Sequence, residues 1–424
     1  MRNLIQRDRY LPIALFALWL AIGLAGLMRA QTYYGSIYRG WDAQFYYSLS
    51  HSLVFDADLD ITNNIRGTPF PQPFDQAGDG TWANAPRGND GRIPSKYPIG
   101  LSLIEVPFLA IGAMLRSMLA HVGVEFTANP GYSALELWSV AVGVMALFTA
   151  SMVLLFKQLA PAFGSVSAMV AVSSAWLGTS LFYYSSIFPF MAHAMSYAAL
   201  VGVLAITKAW QERGASWRRA VMIGLAIGAA FLIRPQQGTI LVPTLAVLAW
   251  QGKVLGNYKP TLYILVIGAV VAAFVLLHMA WVRSQFDQWA ISGYAVGKEG
   301  FSWTSPDFKT VLVSGARGLF VYSPIAMLGL LGWVLAAKRI SAYQVPSVVN
   351  ATMQVYLVAA WSSPEQGHSF GSRMLSDNSE ALAVGICLLW TMGRGVNRLI
   401  LAAAVLLCVL WTCWKVAMYV LTGP

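Results

Sequence analysis

The sequence predicts an all-α polytopic membrane protein with about eleven transmembrane helices, and three observations carry that prediction. Of its 424 residues, 57% are hydrophobic and only 11% charged, where a soluble domain has about a quarter charged. Mean hydropathy is +0.58. Apolar runs able to cross about 30 Å of hydrocarbon recur along the chain, and the basic residues gather in the short gaps between them. A cytosolic enzyme, a disordered chain and a disulfide-framed scaffold are excluded, since aromatics make up 13% and the three cysteines, Cys387, Cys408 and Cys413, lie inside apolar runs. The net charge of +10 is spread along the chain without a basic stripe, which argues against nucleic acid as a partner.

The apolar runs are 10–30, 132–156, 163–181, 188–208, 217–233, 238–250, 261–282, 318–337, 343–361, 378–392 and 396–421. A twelfth, 98–119, carries Pro98, Glu105, Pro107 and Arg116. Basic residues favour short cytoplasmic loops. Arg2, Arg7 and Arg9, then Lys157, Arg213 with Arg218 and Arg219, Lys253 with Lys259, Lys338 with Arg339, and Arg394 with Arg398 can all face inward only if 98–119 does not cross. That segment is expected as an interfacial or re-entrant helix on the outer face. The first run, about twenty residues with no clear cleavage site, reads as an anchor.

The single integral domain then carries three outer loops, 31–97, 283–317 and 362–377, which hold most of the polar and acidic chain. The expected location is a bacterial-type inner (plasma) membrane with its working face outward.

In the first loop, GWDAQFYYSLSHSL reads as an amphipathic helix on the membrane surface, with Phe45, Leu49, Ser52 and Leu53 on one face. Asp42 stands at the N-cap position, where it would satisfy free amides. Beside Trp41 and several tyrosines, including Tyr46, it would instead be partly desolvated, more basic, and suited to take a proton from a hydroxyl. Asp56, Asp58 and Asp60 alternate and could ligate a divalent metal, but acids on a solvated turn are common and no Gly-centred calcium loop follows, so the turn reading is preferred. Residues 66–92, rich in Pro, Gly, Asn and Asp, read as a loop ordered on binding. Lys96 precedes Pro98 where the chain re-enters the interface, placed to snorkel or to hold the phosphate of a lipid-linked donor.

GWDAQFYYSLSHSL and SKYPIGLSLIEVPF resemble, in that order, the two loop elements of the GT-C superfamily of polytopic glycosyltransferases, such as protein mannosyltransferases and the aminoarabinose transferase of lipid A. Weaker similarity runs through FPFMAHAMSY around His193, FLIRPQ around Arg234, RGLFVYSPI around Arg317, and WSSPEQGHSFGSRML around His368 and Arg373. Two positions depart from the family pattern: Ala43 stands where many relatives carry a second acid, and Asn378-Ser379-Glu380 where a proline is familiar.

The resemblance implies a GT-C-like fold with juxtamembrane helices in the first outer loop. It implies a polyprenyl-phosphate-linked sugar donor, an inverting transfer to a lipid, glycan or protein acceptor, Asp42 as general base and Lys96 as a donor-phosphate ligand. No cofactor is required, and a divalent metal stays open.

Arg234, Arg317 and Arg373 all fall at the outer membrane edge, where cations are costly unless paired. Each arginine alone reads equally as paired with a nearby acid or snorkelling outward, and His193 alone reads more readily as a satisfied core residue. Taken together, with no matching intramembrane acids, they make an anionic ligand the expected partner: Arg234 and Arg373 for the donor phosphate, Tyr46, His193, Arg317 and His368 for substrate. His278 and Lys415, inside apolar runs, read as packing or snorkelling residues. The competing reading is a secondary transporter or flippase for a lipid-linked or anionic substrate.

Overall fold

The computed structural model describes residues 2–34, 40–66, 91–255, 260–296, 299–367 and 369–422, and the chain is helical almost throughout. Among the described residues the one β pairing is an isolated bridge between Phe301 and Trp361. In chain order the helices are α1 (Arg2–Tyr34), α2 (Trp41–His51), α3 (Thr62–Arg66), α4 (Gly100–His121), α5 (Ala134–Phe163) and α6 (Ser165–Leu177). There follow α7 (His193–Arg213), α8 (Trp217–Ile233), α9 (Leu241–Leu255), α10 (Pro260–Phe286) and the short α11 (Gly293–Val296), α12 (Phe308–Val313) and α13 (Leu319–Tyr322). The chain closes with α14 (Ile325–Leu335), α15 (Val345–Ala360), α16 (Arg373–Ser376), α17 (Ser379–Met392) and α18 (Val396–Thr422).

Every apolar run read from the sequence is centred on helix. Five segments have the length and hydropathy to cross a membrane by themselves: Tyr10–Thr32, Gly100–His121, Ala134–Phe163, Thr261–Phe286 and Val396–Thr422. Composition therefore does not set α4 apart from the others. Its first residue, Gly100, lies against the backbone of Leu232 and Ile233 at the end of α8. Towards its other end Arg116 pairs at 3.3 Å with Glu136, in the first turn of α5. That turn is held by a capping box in which Ser133 and Glu136 satisfy each other's amides.

The surface helix expected in the first loop is instead enclosed. From Ala43 to Ser52 every residue is buried, polar ones included. The roof is α4 and the segment before α5: Ser102 donates to the carbonyl of Tyr46 (2.8 Å), Ser50 to Glu105 (2.6 Å), and Tyr47 to the carbonyl of Gly131. Hydrogen bonds offset the burial of Ser50 and His51, which a helix lying on lipid headgroups would expose.

Helices α14 and α17 cross with their backbones in close contact. A Cβ on Gly332 would stand 1.9 Å from the carbonyl oxygen of Gly385, and one on Gly385 would stand 2.1 Å from that of Gly329. Only glycines allow backbones to approach this far, a packing mode common between membrane helices. The crossing fixes α17, and with it the loop that precedes it.

Candidate active site

Asp42 is delivered by the start of α2. Gly40 precedes that helix with φ +94° and its ideal Cβ would lie 2.6 Å from Phe188, so glycine is needed on both counts. The carboxylate does not cap the helix as the sequence suggested. It accepts from the Tyr97 hydroxyl (2.8 Å) and pairs with Arg373 (3.0 Å).

Lys96 and Tyr97 lie in the stretch leading into α4, held by the Trp281 indole, which donates to the Tyr97 carbonyl at 2.9 Å. The Lys96 ammonium meets Glu299 at 2.6 Å and lies 4.9 Å from the Tyr294 ring centroid. Arg234 is the residue at which α8 ends, because Pro235 follows and disfavours helical backbone before it. Its guanidinium pairs with Asp377 (3.1 Å) and abuts His193, while His193 Nδ1 donates to Asp377 (2.7 Å). Arg373 opens α16, on a loop where Gln366 receives the Met374 amide (2.9 Å) and donates to Ser372 (3.1 Å).

These side chains converge on a cavity of about 240 Å³, whose wall includes Asp42, Tyr46, Lys96, His193, Arg234 and Arg373. A second cavity of about 330 Å³ adjoins it, faced by Phe231, Ile291, Phe301, Trp303, Leu357 and Val358. Pro235, Gln236, Tyr294, Glu299, Trp361 and Met374 line both, so the polar chamber and the apolar one lie side by side.

Burial pushes the Asp42 carboxyl up, but the Arg373 guanidinium, the Tyr97 hydrogen bond and the nearby Lys96 together outweigh it. The group is held below its ordinary value. The expected rise in basicity is thus reversed, and its cause is an ion pair the sequence could not reveal. Burial lowers Arg373 and Asp42 raises it, the latter prevailing with help from neighbouring tyrosines, so its charge is locked.

No protein-family model and no curated protein matches the sequence. Solved structures match it in three dimensions. ArnT from Cupriavidus metallidurans bound to undecaprenyl phosphate is 14% identical with a TM-score of 0.51, over 93% of this chain and 63% of that one. The oligosaccharyltransferase of Archaeoglobus fulgidus in the apo form is 12% identical with a TM-score of 0.56, over 97% of this chain and 56% of that one. AglB from Archaeoglobus fulgidus in complex with an inhibitory peptide and a dolichol-phosphate is 13% identical with a TM-score of 0.56, over 98% and 56%. The chain shares the fold of these structures, in keeping with the GT-C resemblance read from its motifs. The chain spans a little over half the length of these GT-C structures.

Within this fold the structure brings together Asp42, Tyr46, Lys96, His193, Arg234 and Arg373. It leaves Arg317 outside the chamber wall, its Nε donating to the Ser369 carbonyl at 3.1 Å, where it braces the Arg373 loop. His368 and residues 67–90 lie outside the described residues. The three alternating acids turn to local partners: Asp56 to Asn63 and Asn64, Asp58 to Ser52 and the Asp60 amide, Asp60 to the Thr62 amide and Arg92.

The expectation that the cations lack matching acids is overturned. Lys96, Arg234 and Arg373 each have one, supplied by Glu299, Asp377 and Asp42. Sequence reasoning passed over Tyr97, Tyr294, Glu299, Trp361 and Asp377. Asp377 did carry a signal, an acid at the boundary between loop and apolar run.

Proposed function

We propose that the protein is a membrane glycosyltransferase that moves a sugar from a polyprenyl-phosphate carrier to an acceptor hydroxyl on the outer face of a bacterial-type inner membrane. One observation carries this reading: a chamber lined by three cations, Lys96, Arg234 and Arg373, and three carboxylates, Asp42, Glu299 and Glu365, adjoins an apolar one. Such a pair of chambers fits an amphiphile whose charged head and greasy tail must be held at once. Eleven crossings, with α4 lying at the outer interface, complete the arrangement. The GT-C neighbours include a structure bound to undecaprenyl phosphate and another in complex with a dolichol-phosphate.

In this mechanism the carrier phosphate enters between Lys96 and Arg373 and takes the places held by Glu299 and Asp42 in the unliganded protein. Asp42, freed of its cation, accepts the proton of the acceptor hydroxyl. The hydroxyl oxygen attacks the anomeric carbon and forms the new glycosidic bond. The bond from that carbon to the phosphate oxygen breaks with its electron pair on the phosphate, and configuration is inverted. Lys96, Arg373 and Arg234 stabilise the charge that develops on the leaving group.

The test is a panel of polyprenyl-phosphate sugars incubated with the purified chain, with and without EDTA, with release of carrier phosphate and the anomeric outcome measured. Release that depends on Asp42 and inverts the anomeric carbon supports the proposal. Asp42→Asn protein that transfers sugar at the wild-type rate removes Asp42 from the role of base.

A further inference from the structure

Lys415 lies inside the long apolar helix α18, away from the chamber, and it is not buried among hydrocarbon. Its ammonium stands 5.0 Å from the ring centroid of Tyr322, 5.5 Å from that of Trp411 and 5.6 Å from that of Trp414. Ring faces hold a cation without neutralising it. Among the described residues no acid pairs with Lys415, in contrast to Lys96, Arg234 and Arg373.

The frame is fixed before any ligand arrives. The Trp411 indole donates to the Val321 carbonyl (2.7 Å), and Thr412 donates to the Tyr322 carbonyl (2.9 Å). Trp411 and Trp414 are 44% and 50% exposed, on the outside of the bundle.

Depth follows from helix geometry. Between Arg398 and Lys415 the helix rises about 26 Å, close to the full hydrocarbon thickness, so Lys415 reaches the opposite membrane edge from the basic gap at Arg394 and Arg398. That edge is the one the chamber occupies. The Tyr322 ring lies 5.3 Å from Phe370, the Phe370 amide donates to the Tyr184 hydroxyl (2.9 Å), and the Tyr184 ring lies 4.6 Å from His193. The aromatic frame is therefore the lipid-facing back of the loop that carries Arg373.

We propose that Lys415, framed by Tyr322, Trp411 and Trp414, binds the phosphate of an anionic lipid in the leaflet that faces the chamber. Aromatic and basic residues at this depth would anchor the helix in any bilayer. A fixed cation without a protein acid adds something anchoring does not require, a preference for lipids whose phosphate carries uncompensated charge.

The experiment uses the purified full chain, delipidated in detergent and offered phosphatidylglycerol or phosphatidylcholine, with bound lipid counted by native mass spectrometry. Wild-type protein is expected to retain phosphatidylglycerol preferentially. Lys415→Gln should reduce that preference roughly fivefold, the share of one interfacial lysine, while Lys415→Arg keeps it. Trp414→Leu, which leaves the charge and removes a wall of the frame, should also reduce it and guards against a folding defect particular to Lys415→Gln. Inorganic phosphate at equal concentration should leave lipid occupancy unchanged. Undiminished preference in Lys415→Gln, or displacement of the lipid by inorganic phosphate, overturns the proposal.

Discussion

Asp42 and Arg373, separated by 331 residues of sequence, hold each other at 3.0 Å in the wall of the chamber. This pair makes the base weak, because its carboxyl is held below the ordinary value. A donor phosphate that takes Arg373 leaves Asp42 to its burial, which acts in the opposite direction. The acidic limb of kcat/KM, which reports the free enzyme, is therefore expected at lower pH than the acidic limb of kcat, which reports the complex. Coincident limbs would sink the exchange of partners. Asp42→Asn is expected to lower kcat by about 10²–10⁴-fold.

The same shift has a sign for stability. The folded carboxyl titrates below its unfolded value of about 3.9, so the pair's contribution is complete above that value and is lost as pH falls through the folded one. Thermal midpoints should be flat with respect to this pair between about pH 5 and 8 and fall in stronger acid. Asp42→Asn should show a smaller acid-side fall than wild type; an equal fall would assign the acid sensitivity to other groups.

Lys96 is held by Glu299 at 2.6 Å, and a donor phosphate must displace that carboxylate. Removing the competitor in Glu299→Gln is expected to lower donor KM by roughly threefold, the share of a partly exposed ion pair worth ~0.5–1 kcal/mol. Lys96→Gln should raise donor KM tenfold or more, since a charge-assisted hydrogen bond contributes about 1.5–3 kcal/mol. Initial rates over a donor titration separate the two, and an unchanged KM in Lys96→Gln would remove Lys96 from phosphate binding.

The positions of the helices were legible because bilayer burial writes itself into local composition: each apolar run became helix, and the breaks at Arg234-Pro235 and before α5 carried their own signals. Asp42, Lys96 and Arg373 were legible as charges at a membrane edge. Their partners were not. Glu299 and Asp377 meet Lys96 and His193 from 203 and 184 residues away, and no local period encodes such a meeting. The burial of α2 was hidden for a related reason. Phe45 and Leu49 are buried, as their spacing suggested, but so is the polar face, covered by Ser102 and Glu105 of α4 from 56 and 55 residues downstream.

Arg234, Asp377 and His193 form a charged knot with both Asp377 and His193 almost wholly buried. Breaking one side leaves an uncompensated buried charge, so Asp377→Leu is expected to cost about 3–5 kcal/mol. Arg234→Met combined with Asp377→Leu should restore most of the thermal stability, because well-packed apolar groups replace a buried pair at little cost. Transfer activity should not return with it if Arg234 stabilises the leaving phosphate. A stable double variant with full activity would make the knot purely structural.

The crossing of α14 and α17 ties stability to the site. Gly385→Ala would place a methyl group 2.1 Å from the Gly329 carbonyl, against backbone that cannot rotate away. The helices must separate, and overpacking of this kind costs about 1–3 kcal/mol. Gly202→Ala serves as the control, because a Cβ there meets nothing within 4 Å and helix interiors favour alanine over glycine by about 0.5–1 kcal/mol. Since α17 begins directly after Asp377 and Asn378, a displaced α17 moves the loop that carries Arg373 as well as lowering the melting temperature. Gly385→Ala is expected to lose activity at temperatures where it remains folded, with donor KM rising more than Gly202→Ala shows. If the two alanine variants keep equal KM and differ only in melting temperature, the crossing stabilises the bundle without positioning the arginine.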